Sequence, residues 1–76
     1  MLTFGSRRFH AVRGSDVVRD GMYLELSEDG GRKGVAEVFF CDETGEFVLN
    51  TFGNAVPLEA VEWLVSEARA KLPPKP

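Results

Sequence analysis

Two apolar segments, VAEVFFC at residues 35–41 and EFVLNTF at residues 46–52, enclose the turn DETG at residues 42–45. A helical pattern follows from Pro57 to Leu72. Both segments carry apolar residues at successive as well as alternate positions, so a β-hairpin built from them is apolar on both faces. One helix covers only one face of a sheet, and in so short a chain we expect a second subunit to cover the other face.

The turn predicts the register of this hairpin. A type I turn followed by Gly45 in the left-handed conformation gives a three-residue loop, which places Cys41 opposite Phe47 and Phe39 opposite Leu49. These four apolar residues then share one face of the hairpin. We take Phe39, Phe47 and Leu49 as candidates for a subunit interface and Cys41 as a buried small hydrophobe.

The C-terminal helix is amphipathic and well delimited. Pro57 suits the first helical position, and Pro73 stops the helix. At about 100° per residue, the apolar positions form one stripe that we expect to face the sheet: Leu58, Val61, Leu64, Val65, Ala68 and Leu72. Trp63 projects from the opposite side together with Ala60 and Ala70. We therefore add these three residues to the interface candidates, with packing of Trp63 under the N-terminal segment as the alternative.

The N-terminal half predicts fewer regular elements. Residues 22–27 alternate between apolar and polar and indicate a strand, residues 9–12 could form a short one, and Gly14–Asp16 reads as a turn. Residues 1–8 and 73–76 are expected to be loose. The chain is therefore interpreted as one α+β domain, residues 1–76, with an antiparallel sheet of three to four strands and one C-terminal α-helix packed on one face.

Composition narrows the functional classes. The chain has 76 residues, a net charge of −3, one cysteine and one histidine. An internal disulfide is impossible, and zinc would need carboxylates or a second chain as ligands, so we expect oligomerisation to stabilise this small domain. The sequence has no apolar run of the roughly 20 residues that span a bilayer and no signal-peptide pattern. With its single free thiol it is expected in the cytoplasm, away from membranes.

Chemical motifs are few. His10 and Cys41 are the only residues that could form a nucleophilic pair, and His10 is interpreted as a strand-surface residue. Acidic residues around the turn at residues 42–45 lack the calcium-loop pattern and suit solvation of the turn. We expect no catalytic residue, no metal and no cofactor, and hence no enzyme.

A group of basic residues indicates one alternative function. If the N-terminal region and the glycine-rich loop at residues 28–34 come together, they form a basic end with an aromatic ring for base stacking: Arg7, Arg8, Arg13, Arg32, Lys33 and Tyr23. The order of a strand-rich start followed by one C-terminal helix is similar to that of the whirly-type single-stranded-DNA-binding domains. That resemblance implies nucleic-acid binding and dimerisation, although the net charge is of the wrong sign for such binding.

Three functions follow as hypotheses. The leading one is a small non-catalytic cytoplasmic interaction or accessory protein that forms a homodimer. The first alternative is a single-stranded nucleic-acid-binding module that uses the arginine-rich end. The second alternative is an acidic inhibitor or immunity-type protein, since its acidic residues would steer a basic protein partner towards it.

Overall fold

The structure, a computed structural model, describes residues 2–72 and contains one antiparallel sheet and one helix. The strands lie in chain order across the sheet: β1 (Leu2–Phe4), β2 (Arg7–Asp16), β3 (Gly21–Glu28), β4 (Ala36–Cys41) and β5 (Phe47–Asn50). Helix α1 spans Leu58–Lys71 and packs on β3 and β4. The α+β class and the C-terminal helix are confirmed, but the sheet has five strands where three to four were predicted.

The additional strands come from the N-terminal segment. Residues 1–8 were predicted to be loose, yet β1 pairs with β2, with Leu2 opposite Phe9. Phe9 is fully buried, and the ring of Phe4 lies 6.1 Å from it, so apolar burial fixes this segment to the sheet. The predicted turn at Gly14–Asp16 is also wrong, because β2 continues through it. The predicted loose tail at 73–76 lies outside the described residues.

The β4–β5 hairpin forms as predicted, but its register differs by one residue. Phe40 lies opposite Phe47, and Phe39 lies opposite Val48. The cause is the loop, in which all four residues 42–45 stand outside the pairing: the N–H of Cys41 donates to the carbonyl of Glu46 at 2.9 Å, and the N–H of Gly45 donates to the carbonyl of Cys41 at 2.8 Å. One residue of slip exchanges the faces of β5, so Phe39 and Phe47 lie on opposite faces of the sheet.

The buried face of the helix overlaps the predicted stripe, since Leu64, Ala68 and Leu72 are fully buried as expected, but it is rotated away from Leu58 and towards Ala60. Its buried residues are Ala60, Leu64 and Ala68, followed by Leu72 just beyond the end, whereas Leu58 is 68 % exposed. Placing Leu58 in the core and Ala60 on the outer face was therefore wrong. The wider sheet explains the difference, because β1 and β2 offer Trp63 an apolar surface. The helix is rolled towards them, with its small alanines against β3 and β4.

The sheet face opposite the helix is partly closed by the chain itself. The loop between β2 and β3 places the guanidinium of Arg19 4.2 Å from the centroid of the Phe39 ring. The same guanidinium donates two hydrogen bonds to Glu37, at 2.8 and 2.9 Å, and one to Asp16. Phe39 is consequently only 9 % exposed, so this interface candidate is largely buried within its own chain.

Candidate interaction surface

Among residues 2–72, β5 has a neighbouring strand on one side only, β4, and its other side forms an edge of the sheet. Hydrogen-bonded pairs alternate along an antiparallel ladder, and the bond between Cys41 and Glu46 sets the alternation for β4 and β5. The main-chain groups of Val48 and Asn50 therefore point towards β4. Those of Phe47 and Leu49 point away from the sheet, where a further strand could pair with them.

An apolar groove runs between this edge and the helix. We call it the edge groove; its lining residues come from β4, β5 and α1: Val38, Phe47, Val48, Leu49, Val65 and Arg69. Leu49 is 45 % exposed on this side of the sheet, whereas the Val48 side chain, 50 % exposed, lies with that of Phe39 on the face away from the helix. The guanidinium of Arg69 lies 5.6 Å from the centroid of the Phe47 ring and adds a positive charge to an otherwise apolar surface.

The roll of the helix creates this groove. With Ala60, Leu64 and Ala68 against the sheet, the helical period places Leu58 and Val65 on the flank nearest β5. A helix centred between β3 and β4 does not reach across β5, so these side chains stay accessible. Sequence reasoning assigned them to the core, and only the position of the helix on a five-stranded sheet reveals the groove.

Acidic and basic side chains are concentrated at opposite ends of the sheet. The end with the β2–β3 and β4–β5 turns is acidic, and the N–H of Asp42 donates to the carbonyl of Asp20 there at 3.0 Å. The acidic side chains at this end are Asp16, Asp20, Asp42, Glu43 and Glu46. The opposite end carries four of the basic residues, together with Glu28 and Asp29: Arg7, Arg8, Arg32 and Lys33.

The structure brings four of the six nucleic-acid candidates to this end of the sheet and leaves Arg13 and Tyr23 apart from it. Arg7 makes two hydrogen bonds to the Glu28 carboxylate, at 2.8 and 2.9 Å, which hold the pKa of Glu28 below its ordinary value. Arg32 donates to the amide oxygen of Asn54 at 2.7 Å. Arg13 lies on the helix-facing side of β2 beside Trp63, and Tyr23 lies on the other face of the sheet, over Gly14.

The interface candidates of the helix are separated as well. Trp63 is half-buried and packs against the core above Leu2 and Ala11, as the alternative of local packing predicted. Ala60 is fully buried and Ala70 is exposed, so the three do not share one surface. Of the six candidates, Phe47 and Leu49 line the edge groove. Val48, Val65 and Arg69 were not selected from the sequence, because the predicted register and helix face hid them.

Cys41 is half-exposed, contrary to the predicted burial. A hydrogen bond with the Thr44 hydroxyl, supported by main-chain bonds at Thr44 and Glu43, lowers the pKa of the thiol. His10 stands on β2 opposite Ser27, while Cys41 ends β4 at the other end of the sheet. The Nδ1 atom of His10 lies 2.5 Å from a carboxylate oxygen of Asp29. The cysteine and the histidine therefore do not form a nucleophilic pair.

Metal-binding clusters and membrane-spanning helices are absent from residues 2–72. This part of the chain has no group of three or more histidine, cysteine, aspartate or glutamate residues placed to hold a metal ion. Nor does it include a helix long and apolar enough to cross a membrane. Comparisons with protein-family models, with curated proteins and with solved structures found no match.

Proposed function

We propose that this protein is a small non-catalytic interaction module that forms a homodimer through the β5 edge and the edge groove. One observation carries the proposal: the outward main-chain groups of Phe47 and Leu49 stand beside a half-exposed apolar surface. Strand addition at such an edge satisfies main-chain groups and buries apolar side chains in the same step. We place the module in the cytoplasm because of its single free thiol.

The sequence of β5 supports this proposal. Monomeric proteins usually protect an edge strand with lysine, proline, a bulge or an inward-pointing charge. The residues of β5, Phe47–Asn50, include no charge and no proline. Each square ångström of apolar surface removed from water contributes about 25 cal/mol, and the exposed parts of Val48, Leu49 and Leu58 are available for this.

The acidic end favours a second candidate function, the binding of a basic protein. Five carboxylates stand there, those of Asp16, Asp20, Asp42, Glu43 and Glu46, and that of Asp16 forms an ion pair with the guanidinium of Arg19. An excess of charge of one sign speeds the association of an oppositely charged partner, and the rate of that association then falls as the salt concentration rises. Association that weakens steeply with salt, and that persists when β5 is blocked, would favour this candidate over the edge.

Nucleic-acid binding has less support from the geometry. Arg7 and Arg32 already have polar partners, and Arg13 and Tyr23 lie on opposite faces of the sheet. Phosphate binding would require breaking the contacts of the first two residues. A filter-binding titration with a single-stranded oligonucleotide tests this alternative directly.

Sedimentation velocity over a concentration series tests the homodimer. We expect the native chain to sediment as a dimer at micromolar concentrations and Leu49→Lys to sediment as a monomer, because a lysine on the edge opposes strand addition. Val12→Lys is the matched control, since Val12 is 48 % exposed and lies on β2, far from β5. A native chain that stays monomeric at every concentration would overturn the proposal.

A further inference from the structure

We infer that the two copies pair β5 to β5 in antiparallel orientation about a two-fold axis at Val48, which joins both sheets into one continuous sheet. This inference rests on the proposed function and specifies its interface. A two-fold axis makes each contact occur twice, so β5 of each copy both donates and accepts main-chain hydrogen bonds across the interface. The partner is a second copy of this chain.

The alternation along β5 selects the register. The residues with outward main-chain groups, Phe47 and Leu49, must form the hydrogen-bonded pairs of the new ladder. Phe47 of one copy then lies opposite the partner's Leu49, and each such pair exchanges both of its N–H···O bonds. Val48 falls on the axis as a non-hydrogen-bonded pair, where the two side chains approach most closely.

The apolar surfaces agree with this arrangement. A two-fold axis perpendicular to the sheet keeps both helices on the same side, so the two edge grooves become one. Leu49, which is 45 % exposed, then lies between its own helix flank at Val65 and the partner's Phe47. On the other face of the sheet, Val48, which is 50 % exposed in the single chain, is largely covered by the partner's Val48.

The separation of charge favours the antiparallel orientation. The register places Glu46, which follows the acidic turn, opposite the partner's Asn50, where β5 ends and the turn at residues 51–54 begins. Asn54 in that turn holds Arg32, so each acidic turn faces the basic loop of the other copy. Parallel pairing would instead set the two acidic turns side by side, and like charges at short range oppose association.

A disulfide at the axis tests the register. The Cα atoms of a non-hydrogen-bonded pair are about 4.5 Å apart, within the range that a disulfide spans. In a Cys41→Ser background, we expect Val48→Cys to form a covalent dimer on mild oxidation. Leu49→Cys, whose nearest partner residue is Phe47, should remain uncrosslinked, as should the distant Val12→Cys. Both β5 variants are followed by non-reducing gel electrophoresis and mass spectrometry.

The outcomes separate the two claims. Cross-linking of Val48→Cys alone supports the inferred interface. A dimer that cross-links through Leu49→Cys has a shifted register, and a dimer that cross-links through neither β5 residue uses another surface. Both results overturn this inference and leave the homodimer intact. A chain that is monomeric throughout overturns the proposed function together with its interface.

Charge reversal provides an independent test of orientation. We expect Arg32→Glu and Glu43→Lys each to weaken dimerisation by roughly threefold to tenfold, because exposed ion pairs make modest contributions. The double variant should recover most of the loss, since it restores opposite charges across the interface. Sedimentation equilibrium measures the three constants, and additive losses in the double variant would contradict the antiparallel orientation.

Discussion

At the scale of single residues, one turn decides the chemistry of Cys41. The sequence places this thiol between aromatic residues, which predicts burial and a raised pKa. The observed loop instead brings the Thr44 hydroxyl to the sulfur and leaves the side chain half-exposed, so the pKa is lowered. The Thr44 oxygen also accepts the N–H of Glu46 at 3.2 Å, which fixes the hydroxyl in this position.

We therefore expect Cys41 to react readily in the folded protein. Only the thiolate reacts, so the rate of alkylation by iodoacetamide should rise at a lower pH than in the unfolded chain, whose thiol has the ordinary value of 9.0. Thr44→Val keeps the shape of the side chain and removes its hydroxyl, and should return the profile towards that of the unfolded chain. Identical profiles for native and unfolded protein would contradict this assignment.

At the scale of elements, the helix shows that periodicity predicts a helix more securely than its orientation. The six-residue apolar stripe is real, but its centre is not the buried line. The line that packs on the sheet includes Ala60 and Ala68, whose small side chains let the helix approach β3 and β4 closely. Leu58 stays 68 % exposed, and Val65 packs against the edge of the core while also lining the edge groove.

Two identical substitutions in α1 test this orientation. Leu64→Ala should lower the free energy of unfolding by about 2–5 kcal/mol, the range for a leucine removed from a packed core. Leu58→Ala should have a much smaller effect, because Leu58 is 68 % exposed. Urea denaturation of both variants gives the comparison at a concentration where the oligomeric state is known. Equal losses would return the helix to the orientation that the sequence predicted.

Local sequence patterns predict much of the fold. The alternation at residues 22–27, the turn chemistry of Gly45 and the proline before α1 predict β3, the β4–β5 hairpin and the helix. The register and the edge groove could not be predicted, because they depend on how many residues a loop leaves unpaired and on how far the sheet extends beyond β2. Such consequences of tertiary packing leave no mark in local periodicity.

At the scale of the whole molecule, ion pairs connect segments distant in the chain. Arg7 at the start of β2 is bonded to Glu28 at the end of β3, and Arg19 joins Asp16 to Glu37 on β4. The pKa values of Glu28 and Asp16 are both lowered, by Arg7 and Arg19 respectively. Carboxyl groups whose pKa falls on folding stabilise the folded state wherever they are ionised.

The stability of the protein should therefore decrease in acid. Above the ordinary glutamate pKa of 4.5 the contribution of Glu28 is fully present, and it is lost as the pH falls through the lower value of the folded state. We expect Glu28→Gln to be less stable than the native protein at neutral pH and nearly equal to it in strong acid. Thermal unfolding at several pH values measures this convergence. Glu62→Gln, the same substitution at an exposed helix position, is the control and should change the stability at neutral pH little.

The order of the strands also bears on how quickly the protein reaches this state. Because β1 to β5 are neighbours both in the chain and in the sheet, every strand pairing closes only a short loop and loses little chain entropy. Docking of α1 on β3 and β4 joins parts of the chain that are farther apart. Proteins dominated by such local contacts fold rapidly, so the sheet can assemble hairpin by hairpin before the helix closes the core. β5, the last of these strands in the chain, forms one edge of the sheet and pairs only with β4 among residues 2–72.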